Sequence, residues 1–212
     1  MQLDLQASRS ILRAVLTVAF AAAFFPGVAF SQSGPTGASG QSLIKEGIVL
    51  SAFLPKEMEA ETLTRSASVY SAKIHKWEGR VEGCCKVIAV IASLQVAGGG
   101  EAVFNVLPET VRSKILSYAV NYRMDALNGE VVRRERFSRD GYSGRRGVFR
   151  VEGSTRNNPN RSVRDRLIKT GLLFSGSKVA GVEVYMPQER SFHQYPRKLF
   201  RSFSIKDISQ GR

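Results

Sequence analysis

Between Lys178 and Pro187 the chain reads K-V-A-G-V-E-V-Y-M-P, and this alternation constrains the fold more than any other stretch. Successive side chains of a strand point to opposite faces, so Ala180, Val182, Val184 and Met186 share one apolar face. The other face carries Gly181, Glu183 and Tyr185, a composition that suits solvent or an edge. In the preceding run Leu167–Ser175, Ile168, Leu172 and Phe174 share a parity. In Gly141–Gly153, Phe149 and Val151 do the same. The two-residue link Gly176-Ser177 predicts an antiparallel hairpin. Pro187 stops the last strand because it has no N–H for the ladder. Pro196 fits the first turn of a helix. Leu199, Phe200 and Phe203 then recur three and four residues apart, giving an apolar stripe to cover the sheet.

The rest of the chain is consistent with one domain behind a leader. Residues 1–31 have the form of a secretory signal peptide: Arg9 and Arg13, then the uncharged run Ala14–Phe30, with Ala29 and Ser31 as small residues before Gln32. A run this short, broken by Pro26, sits at the lower limit of a membrane span of about 17–25 residues. Cleavage is therefore expected rather than a stable anchor, and the mature protein is expected to be periplasmic or secreted. Residues 32–42 are small and polar and read as a flexible linker; residues 43–212 form the domain.

Gly47–Leu54 reads as a first strand ended by Pro55. Lys56–Ser71 has helix-favouring Glu and Ala, then passes into a strand from about Val69 to Glu78. After a turn at Gly79–Gly83, Cys84–Val96 contains K-V-I-A-V-I-A, apolar on both faces and so central in a sheet. Pro108–Leu127 is the best helix, with proline at its start and Asn128-Gly129 at its end. Glu130–Ser138 is a charged strand suited to an edge. The expected fold class is α+β: a single domain with an antiparallel sheet flanked by helices, an α/β/α sandwich. Such a length buries a core without metal or disulfide.

The order G-Y-x-G-R, strand, strand, V-x-V-Y-x-P and a terminal F-R-S-F-S-I resembles the C-terminal half of PsbP/DcrB-like domains. Those are α/β/α sandwich domains of exported bacterial proteins and of the extrinsic protein of photosystem II. The likeness is carried mainly by residues 141–205. It implies a non-enzymatic binding or accessory domain, and no catalytic residue carries over from it.

Signals for chemistry are sparse. Cys84 and Cys85 are adjacent, and strand neighbours point to opposite faces, with Cα atoms closer than the usual disulfide range of ~4.4–6.8 Å. One buried and one half-exposed thiol are expected. His75 on an edge strand and His193 in S-F-H-Q-Y-P read as solvated imidazoles. There is no zinc spacing and no G-x-S-x-G elbow, so no metal, cofactor or catalytic residue is assigned. An envelope hydrolase with an unrecognised site is the alternative from another class.

Charge is the functional signal that persists. From Arg133 to Arg201 seventeen Lys and Arg face six acids, an excess of eleven in a chain of net charge +13. Arginine dominates, which suits bidentate contact with phosphate or carboxylate. One basic patch is expected, comprising Arg145, Arg146, Arg150, Arg164 and Arg166, with Arg145 in a glycine turn. Its partner is expected to be an anionic envelope component or an acidic protein. Nucleic acid is not expected, because the leader directs export and few aromatics interleave the arginines.

Overall fold

The apolar run Val87–Ala92 is buried on both faces, and this sets the architecture. In the computed structural model, residues 37–67, 70–96, 108, 110, 129–151, 166–190 and 193–209 are described. Residues 1–31, expected to be a leader, Arg164 and, but for Pro108 and Thr110, the helix expected over Pro108–Leu127 lie outside them. The described strands are β1 (Ala38–Lys45), β2 (Ile48–Pro55), β3 (Glu59–Ala67), β4 (Tyr70–Val81) and β5 (Cys85–Val96). After these come β6 (Glu130–Arg139), β7 (Tyr142–Val151), β8 (Arg166–Ser175) and β9 (Lys178–Pro187). A helix, α1 (Gln194–Ser202), leads into β10 (Ser204–Asp207).

These strands form two antiparallel sheets. The larger has the order β3-β4-β5-β9-β8-β7-β6, and the smaller the order β1-β2-β10. Two meanders, β3 to β5 and β6 to β9, are joined by the pairing of β5 with β9, Ala89 opposite Val182. The charged β6 is an edge strand, as its composition implies. Hairpins turn at Glu46-Gly47 and Asp140-Gly141, both residues of each pair having positive φ, and at Gly176-Ser177. Asp and Gly tolerate this left-handed geometry, which matches the twist of the flanking strands.

On the inner face of the large sheet, Val87, Ala89, Ile91, Ala180, Val182, Val184 and Met186 pack with Ile48, Leu50 and Leu54 of β2, Leu199 of α1, and Phe203. The apolar parity of β9 is thus on the core side, facing the elements that carry Leu199 and Phe203. The far face is buried as well, at Ile74, Ile88, Phe149, Ile168 and Leu172. Glu183, on that far face, is 1 % exposed and accepts a hydrogen bond from the Tyr185 hydroxyl at 2.5 Å. Parity gave its side of the sheet correctly but not its burial, since alternation cannot say whether the second face is covered.

The expected helix-flanked α+β sandwich is corrected. The described residues are mostly strand, and a second sheet covers the inner face, with α1 beside it. Gly47–Leu54 misled because a half-apolar strand has the same pattern in either sheet; it pairs with β1 and β10 instead of entering the large sheet. Ala38–Lys45, partly inside the expected linker, is the edge strand β1, held by Pro55 O accepting from the Gln41 side chain at 2.7 Å. Glu59–Ala67 is strand, its Thr and Leu residues overriding the helical bias of Glu and Ala. Two further expectations fail. Cys84 lies in a turn, not a strand, so strand alternation does not separate the two sulfurs, and Cys84 and Cys85 form a disulfide. His75 is 5 % exposed, with Nε2 on Glu46 at 2.9 Å and Nδ1 on Thr62 at 3.0 Å.

Polar staples join the sheets where apolar packing ends. Glu46, in the β1–β2 turn, also meets Lys73 at 2.9 Å and Ser93 at 3.3 Å on the large sheet. Asp207 of β10 accepts from Ser175 at 2.6 Å and lies 3.7 Å from the Lys178 ammonium. β10 pairs with β2 only as far as Ser51. Beyond that point α1 takes over: Phe53 O accepts from Tyr195 at 2.9 Å, and Phe53 N–H donates to Ser202 at 2.7 Å. Buried backbone groups need such partners.

Burial raises the carboxyl pKa of Glu46, but hydrogen bonds from His75 and Lys73 and their charges outweigh it and lower it overall. Asp207 is lowered in the same way, with burial opposed by Ser175, Ser209 and Lys178. Carboxyls depressed in the folded state contribute stability above their unfolded pKa of about 4, lost as pH falls through the folded value. Urea midpoints should therefore hold from neutral pH to about pH 5 and fall below about pH 4. The double variant Glu46→Gln, Asp207→Asn should have a lower midpoint at neutral pH and a shallower acid fall. Parallel falls in the two proteins would show that these staples do not carry the acid lability.

Candidate anion-binding cleft

The small sheet reaches β7 and β8 only at one end, where Asp207 of β10 bonds Ser175 and Tyr142, and α1 lies against the rest of this flank. Gly171 permits the contact: a Cβ there would stand 3.0 Å from the Phe200 ring. The inner-face residues of β6, β7 and β8 then form one wall and α1 the other. Between them is a cleft of about 620 Å³. Arg133, Glu135, Arg139, Arg146 and Lys169 line the sheet side, and His193, Arg197, Phe200 and Arg201 the helix side. Six cations converge on it with a single carboxylate.

The local sequence explains each placement. On β6 and β7 every second residue faces inward, so Glu135 stands opposite Arg146, and Arg133 opposite Val148, which in turn opposes Lys169. Arg197 and Arg201, four apart, share one face of the helix. Arg146 is the keystone of the floor. Its guanidinium lies 4.1 Å from the centre of the Phe137 ring and donates to Phe200 O at 3.3 Å, while Glu135 is 3.9 Å away. Its Nε is buried without a hydrogen-bond partner. Glu135 is engaged more closely by Arg133, at 2.8 Å. Lys169 is half-buried and makes no ion pair among the described residues; burial lowers its ammonium pKa from the ordinary value. Burial also lowers Arg146, against the field of Glu135 and with that of Arg139.

The arginine patch expected from the sequence is divided by the sheet. Arg146 and Arg150 are on the inner face, Arg146 in the cleft and Arg150 beyond it with Glu130 at 3.3 Å. Arg145 is strand, not glycine turn. Its parity puts it opposite Arg136 on the far face, where burial and Arg136 lower its pKa. Arg166 also has far-face parity and is exposed at the start of β8. The glycines of G-Y-S-G-R-R-G suggested a longer turn, but only Asp140-Gly141 turns. Arg133, Arg139, Lys169, Arg197 and Arg201 were not singled out in the patch. The spacing of Arg197 and Arg201 was a legible sign; the proximity of α1 to β6 was not.

His193 lines the cleft, but its Nδ1 accepts from Tyr195 N–H at 3.1 Å and caps α1. Among the described residues lining the cleft there is no Ser, Cys or Asp beside it. His75 serves the staple between sheets. Among the described residues no group of His, Cys, Asp and Glu is arranged to hold a metal.

No family model and no curated protein matches the chain. Among solved structures the chain is similar to cyanobacterial PsbP (CyanoP) from Synechocystis sp. PCC 6803. The identity is 13 % and the TM-score 0.47, covering 86 % of this chain and 100 % of that one. It is more distantly similar to PA94, a Pseudomonas aeruginosa protein of unknown function, with 10 % identity and a TM-score of 0.31, over 75 % of this chain and 90 % of that one. The resemblance to PsbP is loose in sequence and in structure alike.

A cation stripped of water without a counter-ion weakens the fold that holds it. Lys169→Met should therefore unfold at an equal or higher urea midpoint than the natural protein. A clear fall in midpoint would show that the ammonium is part of the fold's own bonding.

Proposed function

We propose that this protein is a non-catalytic accessory domain of the exported type, and that the basic cleft is its working surface. The single observation that supports this is the convergence of six cations and one carboxylate on a concave site between β6–β8 and α1. Desolvating a positive charge such as Lys169 is favourable only when an anion enters. A recessed floor favours a projecting anionic group over a flat acidic protein face. The partner class is accordingly an anionic component of the cell envelope, met after export to a periplasmic or secreted location. The charged walls also steer anions toward the site before contact.

The test is retention of the full chain on an anionic matrix across a salt series. Exposed attraction is screened over about 8 Å at physiological ionic strength, so retention should fall as salt rises. Arg146→Ser with Lys169→Ser should elute at much lower salt than the natural protein. Arg145→Ser with Arg166→Ser, which removes the same charge from the far face, should elute close to it. Equal losses in the two variants would show that only net charge matters and would end the cleft as a binding surface.

A further inference from the structure

We infer that the cleft is built for a linked pair of phosphates, a diphosphate group, presented free or as the headgroup of a lipid. This rests on the reading of the cleft as the binding surface and names the chemistry it selects. The cations stand on opposed walls. Arg133 and Lys169 are two strands apart in one cross-strand row, separated by roughly 9–10 Å at about 4.8 Å per strand. Arg146 lies in the next row along β7, and Arg197 and Arg201 are one turn apart on α1, about 5–6 Å. Charge-assisted bonds need about 2.7–2.9 Å, so one tetrahedral oxyanion or one carboxylate satisfies only a few of these groups. Two linked phosphates offer acceptor oxygens toward both walls together. The guanidinium fork matches phosphate in pairs of bonds, and the cleft presents arginine in five of its six cations.

Two further observations agree. Arg133 is already engaged by Glu135, whereas Arg139, Lys169, Arg197 and Arg201 form no ion pair among the described residues, so four of the six cations carry charge that a ligand can meet. Its volume, about 620 Å³, falls in the range of about 300–1,000 Å³ typical of small-molecule sites. That is larger than a diphosphate alone, and the Phe200 ring supplies an apolar wall for whatever the group is attached to.

The experiment is calorimetric titration of the full chain with inorganic pyrophosphate, orthophosphate and sulfate at matched ionic strength. Pyrophosphate should bind one to one and at least tenfold tighter than either of the others. Arg201→Ser, on the exposed helix face where folding is not at risk, should weaken pyrophosphate at least fivefold, and Lys169→Met should do the same. Similar affinity for all three anions, or several weak sites, would overturn the diphosphate assignment while leaving a general anion cleft. Binding unchanged in both variants would overturn the cleft itself. A second arm uses vesicles of neutral lipid with and without a diphosphate-headgroup lipid. Capture by the doped vesicles, released by pyrophosphate, identifies a lipid source; no capture alongside pyrophosphate binding identifies a soluble one.

Discussion

β5 and β9 lie side by side at the middle of a seven-stranded sheet and are largely buried on both faces, and the remaining architecture follows from covering them. A strand pair of this kind is unstable with either side wet. On the inner side the chain meets the requirement with a second sheet, β2 lying across β4, β5 and β9. Because β2 is short and β10 shorter, that cover reaches β7 and β8 only at one end, through Asp207. The terminal helix fills part of the gap, and the unfilled part is the cleft. The site is thus what remains where a small sheet meets a larger one.

The staples at the margin fix the position of the helix wall. Tyr195 and Ser202, at the two ends of α1, both bond Phe53, and Phe203 is fully buried directly after the helix. The helix therefore cannot slide along the sheet without losing backbone partners on β2. Burial also raises the Tyr195 phenol pKa, so this tether stays a donor throughout the physiological range. Cleft cations carried on α1 are consequently held at a set distance from those on β6 to β8, as preorganised binding requires. The arrangement has a cost in stability at Lys169 and Arg146, which are partly desolvated, and such local costs concentrate at working sites.

Local pattern carried some of this and not the rest. The parity of Val182, Val184 and Met186, the hairpin at Gly176-Ser177, the stop at Pro187 and the edge position of β6 are properties of a few neighbouring residues, and all were legible. The second sheet was not, because its strands pair across distances of up to the length of the domain, Ile205 with Leu50. His75 and Glu183 looked solvated since a polar residue on a strand is usually on a wet face; here both faces are dry and each polar group has a partner. The disulfide of Cys84 and Cys85 escaped because the turn begins at Glu82, three residues later than Gly79, and so takes in Cys84. For the site, the concentration of arginine after Arg133 was plain, but assigning it to one patch required knowing that Arg145 is in a strand. One residue of register separates it from Arg146 and sends it to the other face.

The central claim is that the sheet sorts the arginines, leaving one face with an anion site and the other without. Its most direct test follows the arginine Nε–H resonances of the full chain during titration with tripolyphosphate. Arg146, Arg197 and Arg201 should shift together along one saturable curve, while Arg145 and Arg166 remain in place. Shifts of Arg145 and Arg166 on the same curve as Arg146 would contradict the account, since no single cleft reaches both faces of the sheet.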